Sequence, residues 1–290
     1  MREGQTLEPR RAGIIGWPVE HSRSPLIHNG WIEQLGLSAR YDRCPISPEA
    51  DFRGALEAMM RVGFVGANVT IPHKQTAFAS VDRLDATAAK LGAVNTLCFE
   101  DGEIVGSNTD GAGFIAALNA QSQDWHHRPV LVLGAGGATR AILVALAEAG
   151  IGEIRLANRT RSRAEPLLDL IADMATKCNL IDWSERDDAM EGCGLLVNTT
   201  SLGMGVETGQ ALDMGITLER LAEQAVVTDI VYTPLHTPLL TSARAAGFVA
   251  VDGLGMLMHQ AALSFEQWFG VAPPVDAALR ARLMEDMGEA

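Results

Sequence analysis

The chain has 290 residues, of which 47% are hydrophobic, 20% charged and 5% aromatic, with 29 glycines. That length suits about two domains of ~150 residues each, and few aromatics with many glycines favour an α/β architecture over a β-sandwich. Lys+Arg number 23 against 36 Asp+Glu, a net charge of -13 that repels nucleic acid and anionic lipid and still allows a local basic pocket for a small anion.

The first residues, "MREGQTLEPRRAG", carry no apolar core of a signal peptide, and residues 1–11 are expected to be a flexible tail. From Ala12 short apolar runs alternate with amphipathic segments. "AGIIGWP" predicts a strand, and "SPLIHNGWIEQLG" a helix with Ser24 as N-cap and Pro25 at its first position. "ARYDRCPI" predicts a strand, "PEADFRGALEAMMRVG" a helix ending at Gly63, and "FVGANVTI" a third strand. In "VNTLCFEDGEIVGSNT" two strand-like runs flank Asp101-Gly102, a type I′ hairpin signal, so an antiparallel hairpin closes an otherwise parallel unit.

"GAGFIAALNA" predicts a helix that crosses between domains. A second run begins at "VLVLGAGGATRAILVALAEAG" and continues through the strand "EIRLANR", the helix "RAEPLLDLIADMA" and the strand "GLLVNTT". After the Gly-rich stretch "SLGMGVETGQALDMG" come the strands "AVVTDIVY" and "GFVAVDG", then a final amphipathic helix, "GMLMHQAALSFEQWFG". This alternation predicts two α/β domains with parallel sheets. No apolar run reaches membrane-spanning length. Cys44, Cys98, Cys178 and Cys193 form no C-x-x-C pair or zinc spacing, so a reduced, metal-free, cytoplasmic protein is expected.

Chemistry concentrates in a few stretches. In "VLVLGAGGAT" a buried strand runs into Gly134, Gly136 and Gly137 and then a helix. Glycines there let the backbone turn tightly and seat a pyrophosphate on the helix N-terminus. Thr139 replaces the third glycine of the usual fingerprint, but strand, loop and helix stand in the right order for a dinucleotide. An NAD site commonly offers a carboxylate ~20 residues on. Here the stretch is "NRTRSR", Asn158 to Arg163, with three arginines and no acid. Arginine grips phosphate in a planar fork, which favours a cofactor with a 2′-phosphate. The plainer account, a solvated helix start, suffices for Arg161.

"HSRSP" supplies Ser22 and Ser24; helix capping accounts for Ser24 and leaves Ser22 unexplained. "NVTIPHK" ends in a turn set by Pro72, with Lys74 beyond it. "NTDG" places Asp110 before a helix, where an N-cap role is the plainer account, and "GAVNT" gives Asn95. "NTTSLGM" and "DIVY" stand at later strand ends, where open α/β sheets bind ligands. Tyr232 is one of two tyrosines in the chain and is expected to end its strand.

Together "HSRSPLIHN", "GANVTIPHK", "GAVNT", "NTDG", "GAGGATR", "NRT", "NTTSLGM" and "DGLGMLMHQA" occur in one order across residues 14–270 and resemble the shikimate dehydrogenase family. The resemblance implies NADPH-dependent reduction of 3-dehydroshikimate to shikimate, in aromatic amino-acid biosynthesis. It implies a substrate domain of residues 12–109 with 254–290, an NADP domain of residues 110–253, and a cleft between them. By motif position, Lys74 and Asp110 would be catalytic. Ser22 and Ser24 would hold the substrate carboxylate, while Thr70, Asn95, Tyr232 and Gln260 would meet the ring hydroxyls. Gly134, Gly136, Gly137 and Ala138 would cradle the pyrophosphate, and Asn158, Arg159, Thr160 and Arg163 would surround the 2′-phosphate. Thr199, Gly255 and Met256 would complete the cofactor site. His73 is given no role, and the assembly is expected to be a monomer or homodimer. The nearest rival reading is an NAD-preferring quinate/shikimate dehydrogenase, against which the arginines speak. A non-catalytic nucleotide sensor on the same fold would not require Lys74, Asp110, Asn95 and both serines together.

Overall fold

The structure is a computed structural model that describes residues 9–122, 125–204 and 215–289. The chain forms two compact units, one running to Thr109 and taking in Ala261–Leu283, the other comprising Asp110–Gln260 and the residues from Met284 on.

The first unit contains β1 (Arg10–Gly16), α1 (Ser24–Gln34), β2 (Ala39–Pro45), α2 (Phe52–Arg61), β3 (Phe64–Val69), α3 (Lys74–Ser80), β4 (Arg83–Leu84), α4 (Ala86–Leu91), β5 (Thr96–Glu100) and β6 (Glu103–Ser107). Its sheet runs β2-β1-β3-β5-β6-β4. β1 pairs in parallel with β2 and β3, and β5 turns antiparallel against both β3 and β6. Asp101 and Gly102 both have positive φ, 51° and 84°, as the hairpin signal required. Ile15, Leu56, Ala67, Leu97 and Ile104 fill one core, each aliphatic side chain contributing about 1.5–3 kcal/mol when fully buried.

The second unit contains α5 (Asp110–Gln121), β7 (Val130–Leu133), α6 (Gly137–Glu148), β8 (Glu153–Ala157), α7 (Arg161–Leu168), β9 (Lys177–Ile181), β10 (Leu195–Asn198), β11 (Val226–Asp229), α8 (Pro238–Ala245) and β12 (Val249–Val251). α9 (Gly253–Phe269) follows and then α10 (Ala277–Met287). The six strands run β12-β11-β10-β7-β8-β9, all parallel. The order reverses between β7 and β10, which makes the carboxyl ends of those two strands the switch point.

Several expectations are corrected. β1 already includes Arg10 and Arg11, which the tail was expected to hold; residues 1–8 lie outside the described residues, as does most of the Gly-rich stretch, 205–214. Ser24 is the first residue of α1 and not its cap: Arg23 holds that position, and Ser24 N donates to Ser22 Oγ at 3.3 Å. β11 ends at Asp229, so Tyr232 lies three residues past the strand. The sequence reading also missed α3, α4, β9, α8 and α10. Among the described residues, no helix is long and apolar enough to cross a membrane.

One packing feature of the first unit is chemically loaded. His28 of α1 is fully buried, stacked on Tyr41 at 4.1 Å and edge-on to Trp31 at 5.5 Å. Among the described residues neither ring nitrogen has a hydrogen-bond partner. Burial lowers its pKa to about 3, with the nearby Asn68 amide opposing only part of the shift. That amide is committed elsewhere, to Tyr41 and Ser264.

The folded pKa lies below the ordinary value near 6.5, so the unfolded chain binds one more proton in the interval between them. This group costs no stability above pH 6.5 and removes about 1.4 kcal/mol per pH unit as pH falls towards 3. His28→Phe should therefore flatten the acid limb of stability against pH by about one proton, read from urea unfolding between pH 4 and 7. An unchanged slope would contradict this.

Candidate active site

In the first unit Ser22, Ser24 and Thr70, expected on the substrate side, follow the carboxyl ends of β1 and β3. Thr70 N donates to Ile15 O at 2.9 Å and Trp17 N to Ile71 O at 3.1 Å, which extends the pairing past both strands. The approach is close because position 16 is glycine: a Cβ there would stand 2.6 Å from Thr70 Cγ2. β1 then turns through residues 17–23, where Ser22 N donates to Val19 O and Arg43 Nη2 to Ser22 O at 2.9 Å. That turn delivers Ser22, half-buried, and Ser24, buried, to the start of α1.

Lys74 opens α3, half-buried. Its carbonyl accepts from Val94 N at 3.0 Å, so the backbone beside Asn95 is tied to the first turn of the lysine's helix. Asn95 is buried and held from several sides. Its Oδ1 accepts from Thr109 N at 2.9 Å and Thr96 Oγ1 at 2.9 Å, and its Nδ2 donates to Thr109 Oγ1 at 3.1 Å. Behind it lies a network the sequence reading missed. Asn68 Oδ1 accepts from Tyr41 Oη at 2.8 Å, Asn68 Nδ2 donates to Ser264 Oγ at 2.8 Å, and Ser264 meets Thr96 at 2.9 Å. The only sequence signal for it was the alternation in "NVT", where one polar residue falls on an inward position. His73, given no role, is buried with Nε2 against Ile46 O at 2.7 Å, a packing residue.

In the second unit Asp110 is the first residue of α5, buried, where the helix N-terminus favours a carboxylate. It belongs to the helix, so the capping account falls away. Gln260 lies on α9, half-buried, with Nε2 donating to Leu257 O at 3.2 Å. A Cβ at Gly113 would stand 2.6 Å from the backbone N of Gln260, so α5 and α9 touch there. Gly255 and Met256 occupy the first turn of α9, and Tyr232 is half-buried in the loop after β11.

The glycine loop follows β7. Gly134 has φ 109°, and a Cβ there would lie 2.6 Å from Thr199 Oγ1, so only glycine fits. A Cβ built at Gly137 meets nothing within 4 Å, which leaves open space over the α6 N-terminus for a phosphate. The loop is held by a buried relay. Gly136 N donates to Thr139 Oγ1 at 2.9 Å, Thr139 Oγ1 meets Thr199 Oγ1 at 2.7 Å, and Thr199 Oγ1 donates to Leu133 O at 2.7 Å. Thr139, the departure from the usual glycine, is therefore the residue that ties the loop to β10. This cradle fits a dinucleotide pyrophosphate.

At the end of β8, Asn158 Nδ2 donates to Thr160 O at 2.7 Å, shaping the turn. Arg161 is committed to Glu165 and Asp182, both at 3.1 Å. Arg159 and Arg163 are exposed and have no ion pair among the described residues. Two cations without an ion pair among the described residues flank one paired cation, which suits capture of an external anion.

An all-parallel six-stranded sheet with a glycine loop at its switch point, joined in one chain to a second α/β unit, defines a dinucleotide-binding protein of the doubly wound class. The comparisons narrow this. Residues 14–97 match the family pattern described as the shikimate dehydrogenase substrate binding domain, residues 116–233 that of shikimate / quinate 5-dehydrogenase, and residues 253–281 that of the shikimate 5'-dehydrogenase C-terminal domain. The chain is 50% identical over 276 residues to the shikimate dehydrogenase (NADP(+)) of Cereibacter sphaeroides, covering 94% of this chain and 96% of that one. A Thermus thermophilus shikimate 5-dehydrogenase solved with NADP(H) and shikimate matches with a TM-score of 0.81 at 35% identity, covering 94% and 98%. A Corynebacterium glutamicum quinate dehydrogenase solved with NAD matches with a TM-score of 0.86 at 29% identity, covering 96% and 99%. The chain belongs to the shikimate dehydrogenase family.

The relay through Thr199 is directly testable. Thr199→Val removes its hydroxyl and leaves that of Thr139 short of a partner in a buried place. Stability should fall by about 1–3 kcal/mol, the usual cost of an orphaned buried polar group, measured by urea unfolding. A variant as stable as the parent would show that the relay carries no weight.

Proposed function

We propose that this chain catalyses the reversible NADPH-dependent reduction of 3-dehydroshikimate to shikimate, in the cytoplasmic route to chorismate and the aromatic amino acids. The observation that carries this reading is the 50% identity, over 94% of the chain, to a relative named for that activity. The substrate domain is built on the first unit and the NADP domain on the second. NADPH, when bound, supplies the hydride.

Gly134, Gly136, Gly137 and Ala138 hold the pyrophosphate against the α6 N-terminus. Asn158, Arg159, Thr160 and Arg163 take the 2′-phosphate; the exposed arginines at 159 and 163 and the missing carboxylate after β8 support NADP over NAD. Thr199 completes the cofactor site, and Gly255 and Met256 border the nicotinamide. Ser22 and Ser24 hold the substrate carboxylate, while Thr70, Asn95, Gln260 and Tyr232 hold ring hydroxyls. Asn95 arrives pre-oriented, because its amide is fixed by Thr109 and Thr96 before any substrate enters. As the ketone becomes an alcohol, negative charge gathers on its oxygen. Lys74 and Asp110 share the acid–base work on that oxygen, with the Lys74 ammonium steadying the charge or passing the proton.

Shikimate and NADP mixed with the protein should give a rise in absorbance at 340 nm, and no rise would refute the assignment. Lys74→Ala should lower kcat by roughly 10²–10⁴ with a much smaller change in KM. Near-normal kcat with a large KM increase would make Lys74 a binding residue. Arg159→Ala should weaken NADP by about 1.5–3 kcal/mol and leave NAD nearly unchanged, since only NADP offers a phosphate there. Equal losses for both cofactors, in a fluorescence titration, would assign Arg159 to the adenine or the fold.

A further inference from the structure

Asp229 is a wholly buried carboxyl group that the chemistry above leaves unused. It is the last residue of β11 and pairs in register with Asn198, the last residue of β10. Its Oδ1 accepts from Asn198 Nδ2 and from Val231 N, both at 3.0 Å. Among the described residues its Oδ2 has no hydrogen bond of ordinary geometry, although the Thr237 hydroxyl is near enough to weigh on its titration. Burial pushes this carboxyl above its ordinary pKa, against the lowering effect of its hydrogen bonds. Gly203, at φ 94°, closes over the group: a Cβ there would stand 3.5 Å from Asp229 Oδ2.

A buried acid with one unpaired oxygen is costly, so what it organises matters. Asn198 is the hub of the loop after β10. Its Nδ2 donates to Leu202 O at 3.1 Å, and its Oδ1 accepts from Thr200 N at 3.0 Å and Thr200 Oγ1 at 2.7 Å. Leu202 N in turn donates to Thr200 Oγ1 at 3.1 Å. Residues 198–202 are thus wound around one side-chain amide, and Thr199, which holds the glycine loop, lies inside the winding. The amide could present either end to β11. Because Asp229 Oδ1 accepts, Asn198 turns its NH₂ that way and leaves Oδ1 to Thr200. The same Asp229 oxygen fixes the backbone at Val231, one residue before Tyr232.

We propose that Asp229 is a positioning residue that sets the loop of residues 198–202 against the loop of residues 230–232, and so places the nicotinamide end of the cofactor and the Tyr232 contact. The proposal rests on reading the chain as an NADP-dependent shikimate dehydrogenase. It requires an accepting oxygen at position 229 and no charge. Asparagine can present that oxygen to both donors, and alanine cannot.

The test compares the parent chain with Asp229→Ala and Asp229→Asn in two measurements: turnover of shikimate with NADP, and binding of NADPH and of adenosine 2′-monophosphate by calorimetry. The monophosphate engages only the adenosine end of the site and places no phosphate on the glycine loop. Asp229→Ala should lose roughly 10- to 100-fold in kcat, the scale of a misplacement near 1 Å. It should weaken NADPH while leaving the monophosphate within about twofold of the parent, and Asp229→Asn should stay within about threefold throughout. The proposal is overturned if Asp229→Ala keeps parental kcat, if it weakens monophosphate and NADPH alike, or if Asp229→Asn is as damaged as the alanine variant. Should Asp229→Ala fail to fold, Asp229→Ser, whose hydroxyl is too short to meet both donors, takes its place: selective loss of NADPH supports the proposal, and equal loss of both ligands overturns it. A parent inactive on shikimate would sink the functional reading, while the ratio of NADPH to monophosphate affinity would still decide the role of Asp229.

Discussion

The hydrogen-bond relay from Gly136 N through the hydroxyls of Thr139 and Thr199 to Leu133 O is the constraint on which the nucleotide side of this protein depends. A glycine loop alone is free to wander, because glycine surrenders more backbone entropy on folding than any other residue. Here the wandering is stopped from the neighbouring strand. Thr199 stands where a side chain at position 134 would have to go, so the glycine and the threonine require each other. The two bonds made by Thr199 lie away from water, where hydrogen bonds polarise one another and an unpaired member is expensive. The loop is therefore held in shape before a phosphate arrives, and binding energy is not consumed in ordering it.

The same device recurs at the other strand ends. In the first unit the Asn95 amide is pinned by Thr109 and Thr96, with Asn68, Tyr41 and Ser264 behind them. In the second, Asn198 is pinned by Asp229. Strands of these sheets carry uncommitted backbone groups at their carboxyl ends, and side chains from the adjacent strand take them up. The residues that face ligand are few, and more residues serve to hold them. A likeness in fold to a quinate dehydrogenase that binds NAD makes the same point from outside. On the function proposed above, cofactor and substrate choice fall to side chains such as Arg159 and the serines at 22 and 24.

Long periodic elements were legible in the sequence because their pattern is strong: β1, β3, β7, α6 and α9 stand close to where apolar spacing put them. The Asp101-Gly102 turn was legible because both positions need positive φ. Among the missed elements, β9, α3 and α4 lack such signals, whereas α8 carried the Thr237 cap and Pro238 at its first position. β9, "KCNLI", lies at the sheet edge with no residue but its neighbours on one side to dictate alternation. α3 and α4 span only 7 and 6 residues, too short for a helical period to show. α10 did carry a signal, Asp276 accepting from Leu279 N after a double proline, that the reading passed over. The Ser24 cap failed for a local reason: the Ser22 hydroxyl accepts from the amide of Ser24, so the turn before the helix is closed by the earlier serine. Burial of the acid at 229 could not be read at all, since a strand-end aspartate looks the same whether it meets water or Asn198.

The central claim is that this scaffold carries the shikimate and NADP specificities together. The most direct measurement is kcat/KM for shikimate and for quinate, each with NADP and with NAD, on the same preparation. The account predicts that shikimate with NADP exceeds each of the other three combinations by about tenfold or more, since one mismatched buried polar group or one lost phosphate contact costs at least ~1.4 kcal/mol. Quinate with NAD equal to or above shikimate with NADP would contradict it.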